Sequence, residues 1–94
     1  MAASNAQQRV IHFQGHVQGV GFRQTTFMLA QGLALSGYVQ NLQDGRVKLV
    51  MVGTREEMDK LETAIDERLG HFIHDRTVDT IRSPRDFTDF EIRY

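Results

Sequence analysis

The run Gly15-His16-Val17-Gln18-Gly19-Val20-Gly21-Phe22-Arg23 carries three of the chain's eight glycines within seven residues and ends on an arginine. Glycines let the backbone turn and approach a ligand with no Cβ in the way. The N–H groups of such a loop, together with a helix N-terminus, form a concave cradle for an anion. Arg23 adds a permanent planar cation whose fork matches the oxygens of phosphate or carboxylate. The run lacks the Lys-Ser/Thr of a nucleotide P-loop, and its spacing is not that of a dinucleotide fingerprint. Taken alone, it reads equally well as a tight turn with a surface arginine. Asn41 is the second candidate. Its amide is both donor and acceptor, so it could hold a water with a lone pair aimed at an electrophile, although it cannot act as a general base. On local sequence alone, an asparagine just before Asp44-Gly45 is more often a turn residue bonding its own backbone.

The elements that must position these residues follow from periodicity. Arg9 to Gln14 alternates, with Ile11 and Phe13 on one face and Val10 and His12 on the other, as in a strand. Phe22, Thr26, Leu29, Ala30, Leu33 and Ala34 recur at helical spacing, which predicts a helix ending near Leu35, weakened at Gly32 by about 1 kcal/mol. Ser36-Gly37 reads as punctuation. Tyr38–Leu42 and Arg46–Val52 flank Asp44-Gly45, a strong hairpin signal. Thr54-Arg55-Glu56-Glu57 is a capping box before the stripe Met58, Leu61, Ala64, Ile65 and Leu69. Gly70 reads as a left-handed residue closing that second helix. Phe72-Ile73 reads as packing beneath the helix end, Thr77–Arg82 as β-rich, Ser83-Pro84-Arg85-Asp86 as a turn, and Phe90, Ile92 and Tyr94 as a terminal strand. The order predicts an α+β, ferredoxin-like βαββαβ two-layer sandwich with an additional C-terminal strand, its antiparallel sheet covered on one face by two helices. In that topology Asn41 can come near the glycine-rich loop.

Composition narrows the function. With 94 residues, 40% of them apolar and 24% charged, the chain is expected to form one globular domain, residues 9–94, after a flexible segment, residues 1–8. A net charge of −1 argues against a broad nucleic-acid footprint. The strand Arg46–Val52 has no aromatic for base stacking, which weakens an RNA-binding reading of the same fold. The absence of cysteine excludes disulfides, a thiolate nucleophile and thiolate metal sites. His71 and His74 lack a third ligand at a recognisable spacing, so no metal is expected. His12 reads as a strand-surface residue, and Thr25 and Thr26 as helix packing. No apolar run approaches the roughly 20 residues of a membrane span, and Met1–Gln8 lacks the apolar stretch of a secretory signal. A cytoplasmic monomer without cofactor is the expectation, and the absence of any extension past Tyr94 favours a free-standing enzyme.

Gly15 to Arg23 resembles the first signature of the acylphosphatases, G-x-V-Q-G-V-x-F/Y-R. Gly37-Tyr38-Val39-Gln40-Asn41-Leu42-Gln43-Asp44-Gly45-Arg46-Val47, with Gly53 six residues on, resembles the second. The resemblance is close over residues 9 to 53 and looser over the second helix and Phe90-Glu91-Ile92. It implies hydrolysis of an acyl phosphate, the mixed anhydride of a carboxylic acid and phosphate, without a metal. It gives Arg23 the role of phosphate-binding arginine and Asn41 that of water-orienting asparagine. The backbone of His16, Val17, Gln18, Gly19 and Val20 corresponds to the phosphate cradle. His16 stands where arginine is common in the family, Gln40 where a basic residue is common, and Tyr38 where Trp is frequent. The usual Gly-Pro after the second helix is absent. The first two changes lower the positive charge around the site. A second reading is a phosphate-binding or regulatory module of this family that has lost turnover.

Overall fold

Strand β1 (Gln7–Gly15) begins two residues earlier than its alternation suggests, because Gln7 and Gln8 pair with Gly53 and Val52. The structure, a computed structural model, describes residues 6–82 and 87–94. The expected turn at Ser83–Asp86 and the first five residues lie outside that range. After β1 come α1 (Phe22–Ala30), β2 (Ser36–Asn41), β3 (Val47–Gly53), α2 (Arg55–Leu69), a 3₁₀ turn (Gly70–Phe72), β4 (Ile73–Ile81) and β5 (Phe90–Arg93). The sheet order is β4-β1-β3-β2-β5. The first four strands pair antiparallel, and β5 joins the β2 edge running parallel to it, so the five-stranded sheet is mixed.

Side chains alternate across each strand. Ile11, Phe13, Val39, Leu49 and Met51 point to the helix layer and are fully buried with Phe22, Met58, Leu61 and Ile65. Arg9, on that same face, is 9% exposed. It reaches Asp59 (2.9 Å) and Glu62 of α2, so the edge of the core is closed by an ion pair rather than by an apolar side chain. Phe72 and Ile73 pack partly buried against the core, as expected.

Several local expectations change. Helix α1 stops at Ala30, not near Leu35. Gly32 adopts φ +86°, a left-handed conformation that only glycine takes at little cost, so it ends the helix rather than weakening its interior. Ser36 and Gly37 open β2 instead of punctuating it, because the Gly37 N–H donates to the Asp89 carbonyl (3.0 Å) as β5 arrives alongside. Gly70 is right-handed (φ −56°, ψ −34°), since the chain tightens directly into the 3₁₀ turn. Half of the capping box forms. The Glu57 N–H donates to Thr54 Oγ1 (3.3 Å), but the Glu57 carboxylate accepts from the Ala34 N–H (2.9 Å) and Lys60 (2.8 Å). Those two donors hold the Glu57 carboxyl below the usual range. The connection after α1 is thereby tied to the start of α2.

Candidate active site

Between β1 and α1 the chain crosses one end of the sheet as residues 16–21. Gly19 (φ +80°) and Gly21 (φ +78°) are both left-handed, and Gly21 is the N-cap of α1. That helix start is unusual. No side chain caps it, and its first turn contains no acid. The first N–H groups of a helix have no intrahelical partner and carry the positive end of its dipole. Arg23 adds a cation there, against the dipole, where an acid would normally stabilise the turn. Helix α2 shows the ordinary arrangement, with Glu56 and Glu57 in its first turn and Arg68 in its last. The start of α1 is therefore a concentrated positive centre that an anion would neutralise.

A pocket of about 180 Å³ opens at this point. Val17 and Gly19 of the loop, Gly21 to Gln24 of the helix start, and Asn41 of β2 line it. Ile92 and the largely exposed Tyr94 also line it. Asn41 is the last residue of β2, opposite Val47, on the helix-covered face of the sheet. Its Oδ1 is buried and has no hydrogen-bond partner among the described residues. A buried acceptor without a donor costs free energy that a bound water or ligand would recover. Arg23 is partly exposed. Its Nη1 donates to the Arg93 carbonyl (3.2 Å), and its guanidinium lies 4.7 Å from the centre of the Tyr94 ring.

Arg23 and Asn41 thus meet at one pocket, as do Val17 and Gly19 of the expected cradle. His16, Gln18 and Val20, the other three residues of the expected cradle, do not line the pocket. The His16 N–H is committed to the Phe72 carbonyl (2.9 Å), so it is not available to an anion. Val20 packs partly buried against the core. The side-chain amide of Gln18 donates to the carbonyls of Leu42 (2.7 Å) and Arg46 (3.0 Å). Those carbonyls belong to the base of the β2–β3 hairpin, where the Leu42 N–H also donates to the Arg46 carbonyl (2.8 Å). Gln18 therefore locks the loop to the hairpin that presents Asn41. Sequence reading placed Gln18 only as backbone, and it missed Ile92, Arg93 and Tyr94. The one available signal for the latter was the alternation Phe90, Ile92, Tyr94, which marks a face but not its neighbour.

The remaining candidates lie elsewhere. Thr26 is fully buried in α1, with an unpartnered Oγ1, and does not line the pocket. His12 is on the open face of the sheet. His71 stacks on Phe72 (4.0 Å), and no group of three or more His, Cys, Asp or Glu among the described residues could hold a metal ion. No helix among them is long and apolar enough to cross a membrane.

The chain is similar to known proteins over most of its length. The acylphosphatase family model matches residues 9–92. An acylphosphatase of Picrophilus torridus is 35% identical over 82 residues, which cover 87% of this chain and 96% of that one. The crystal structure of acylphosphatase from Bacillus subtilis superposes with a TM-score of 0.86 at 32% identity, covering 94% of this chain and 99% of that one. Full-length HypF, in a phosphate- and nucleotide-bound form, contains a similar unit. It covers 95% of this chain but only 12% of HypF, at 30% identity and a TM-score of 0.85. The chain belongs to the acylphosphatase family.

Proposed function

We propose that this acylphosphatase hydrolyses acyl phosphates with Arg23 and the start of α1 holding the phosphoryl group and Asn41 orienting the attacking water. The observation that carries this reading is the unpartnered Asn41 Oδ1, buried in the same pocket as Arg23 and the uncapped helix. The phosphoryl oxygens take the N–H groups around Gly19 to Gln24 and the fork of Arg23. Asn41 Oδ1 accepts one O–H of a water and leaves an oxygen lone pair facing phosphorus. The new P–O bond forms as the acyl–O–P bond breaks on the phosphorus side, and the electron pair leaves with the carboxylate. The water's proton ends on phosphate. Because the carboxylate departs without a proton, no strong general base is needed. Positioning and charge stabilisation carry a loose phosphoryl-transfer transition state. The reaction as read here needs no metal, and a chelator is expected to leave it unchanged.

Benzoyl phosphate hydrolysis, followed by ultraviolet absorbance, tests the assignment. Arg23→Ala is expected to cost about 10³–10⁵ in kcat with the fold retained. Arg23→Lys should also fail, because a point charge cannot make the fork. A folded Arg23→Ala protein with near-normal turnover would remove Arg23 from the mechanism. In ¹⁸O-water the label should appear in phosphate, and label in benzoate would refute attack at phosphorus. Phosphate binding without turnover in the native protein would mark the non-catalytic module instead. We take the protein to work as a monomer in the cytoplasm. Sedimentation that gave a dimer, or fractionation that found it outside the cytoplasm, would correct this.

A further inference from the structure

The helices cover only one face of the sheet, and the other face has a built pattern of its own. The strand register sets Val10, Val50 and Tyr38 side by side in one row, flanked by Asp79 of β4 and Glu91 of β5. The next row is His12, Lys48, Gln40 and Arg93, running from β1 through β3 and β2 to β5. A row that is apolar at its centre and acidic at its ends thus lies beside a row with two permanent cations. A groove of about 410 Å³ follows them. Val10, Val50, Ile81 and Phe87 are its apolar lining. Ile81 is 42% exposed there.

The polar end of the groove is organised around Tyr38. The Arg93 guanidinium stacks 3.8 Å above the Tyr38 ring, Lys48 Nζ lies 5.8 Å from it, and the Phe87 ring meets it edge-on at 5.9 Å. Arg93 already has an anion, Glu91, at 2.9 Å. Lys48 forms no ion pair among the described residues and is only half-buried. Lys48 is thus the cation of the groove lining left without an ion pair among the described residues, at one end of an apolar trough. The pair of rows lies across the sheet from the catalytic pocket, which β5 separates: Ile92 and Tyr94 line that pocket, while Arg93 faces the groove.

We propose that this groove is a second binding site, for an amphiphilic monocarboxylate whose headgroup pairs with Lys48 beside Arg93 and whose aliphatic chain lies along Val10, Val50 and Ile81. One unpaired cation matches one carboxylate, and a small inorganic anion would leave the apolar lining uncovered. A chain of several methylenes covers it.

The test is a titration of the ¹⁵N-labelled full chain with sodium octanoate below its micellar range, read by backbone amide shifts. Saturable shifts are expected at Val10, Tyr38, Lys48, Val50 and Ile81. Affinity should rise by about two- to fourfold per methylene from butyrate to octanoate. Lys48→Gln should weaken octanoate about tenfold, in line with the loss of one charge-assisted contact. Ile81→Ser, an exposed position, should flatten the chain-length dependence while both variants keep the native spectrum. Inorganic phosphate should instead shift Gly19 to Gln24, and its affinity should stay within about twofold at saturating octanoate, as expected for independent sites. Octanoate shifts confined to residues 19–24 with displacement by phosphate, or equal octanoate affinity in Lys48→Gln, would overturn the site.

Discussion

At the scale of single residues, two side chains carry consequences beyond Arg23 and Asn41. Gln18 spends its amide on two hairpin carbonyls, so it fixes the distance between the anion loop and Asn41. Gln18→Ala should destabilise the protein by about 1–3 kcal/mol, as two half-buried hydrogen bonds are lost, and should also lower kcat. Urea denaturation and benzoyl phosphate kinetics on the same sample check both. Loss of stability with unchanged kcat would make Gln18 structural only. His12 gives a pH effect. Burial, then Arg46 and Lys48, hold its pKa below the ordinary 6.5. The unfolded chain therefore takes up this proton at higher pH than the folded one. Stability from this group is intact above about 6.5 and is lost as pH falls from there through the lower folded value. Between pH 7.5 and 5, His12→Gln should lose less stability than the native chain in urea titrations. Parallel slopes would contradict this. Arg23 and Asn41 stand out as candidates because each sits in a local pattern of glycines or a turn, and the roles proposed for them come from the resemblance of those patterns to the family signatures. Gln18's partners lie 24 and 28 residues away, a separation that no local pattern encodes.

At the scale of elements, hydrophobic periodicity located four of the five strands and both helices and failed chiefly at their ends, whereas β4 showed only as the β-rich Thr77–Arg82, because it is an edge strand whose side chains are mostly exposed. The stripe Leu29, Ala30, Leu33 continues at helical spacing past the true end of α1. Periodicity cannot distinguish a helix from a turn whose apolar residues still face the core. Leu33 and Leu35 pack partly buried from the connection itself. Gly32 decides the outcome through its left-handed φ, with open space around the position of a Cβ. Gly32→Ala should therefore destabilise by about 1–2 kcal/mol through backbone conformation alone, and activity per folded molecule should be unchanged. A thermal melt checks it. A stabilised Gly32→Ala protein would mean that α1 can extend toward Leu35 as its pattern suggests. Similarly, Gly70 looked like a left-handed stop, but the 3₁₀ turn that follows takes it right-handed. The capping box was half legible because Glu57 found a better donor in Ala34, on a connection that only the tertiary fold brings near.

At the scale of the whole molecule, the site is made where three distant parts of the chain meet. The loop before α1 supplies Val17 and Gly19 of the proposed cradle, the end of β2 supplies Asn41, and β5 with the residue after it supplies Ile92, Tyr94 and the carbonyl that holds Arg23. Element order gave the layers and the helix-covered face. The place of β5 did not follow from it, because a fifth strand could join either edge of the sheet, and its parallel pairing to β2 depends on a connection that leaves β4 at the opposite edge. The same β5 is shared by the catalytic pocket and the groove on the open face. The account stands or falls on whether Asn41 acts on the water, since the cradle and Arg23 would serve a mere binding module equally well. Steady-state kinetics of Asn41→Ala with benzoyl phosphate test this directly. An interaction made only in the transition state should lower kcat by about 10²–10³ and leave KM within about threefold. A large rise in KM with kcat preserved would show that Asn41 binds substrate and does not direct water, and would contradict the mechanism.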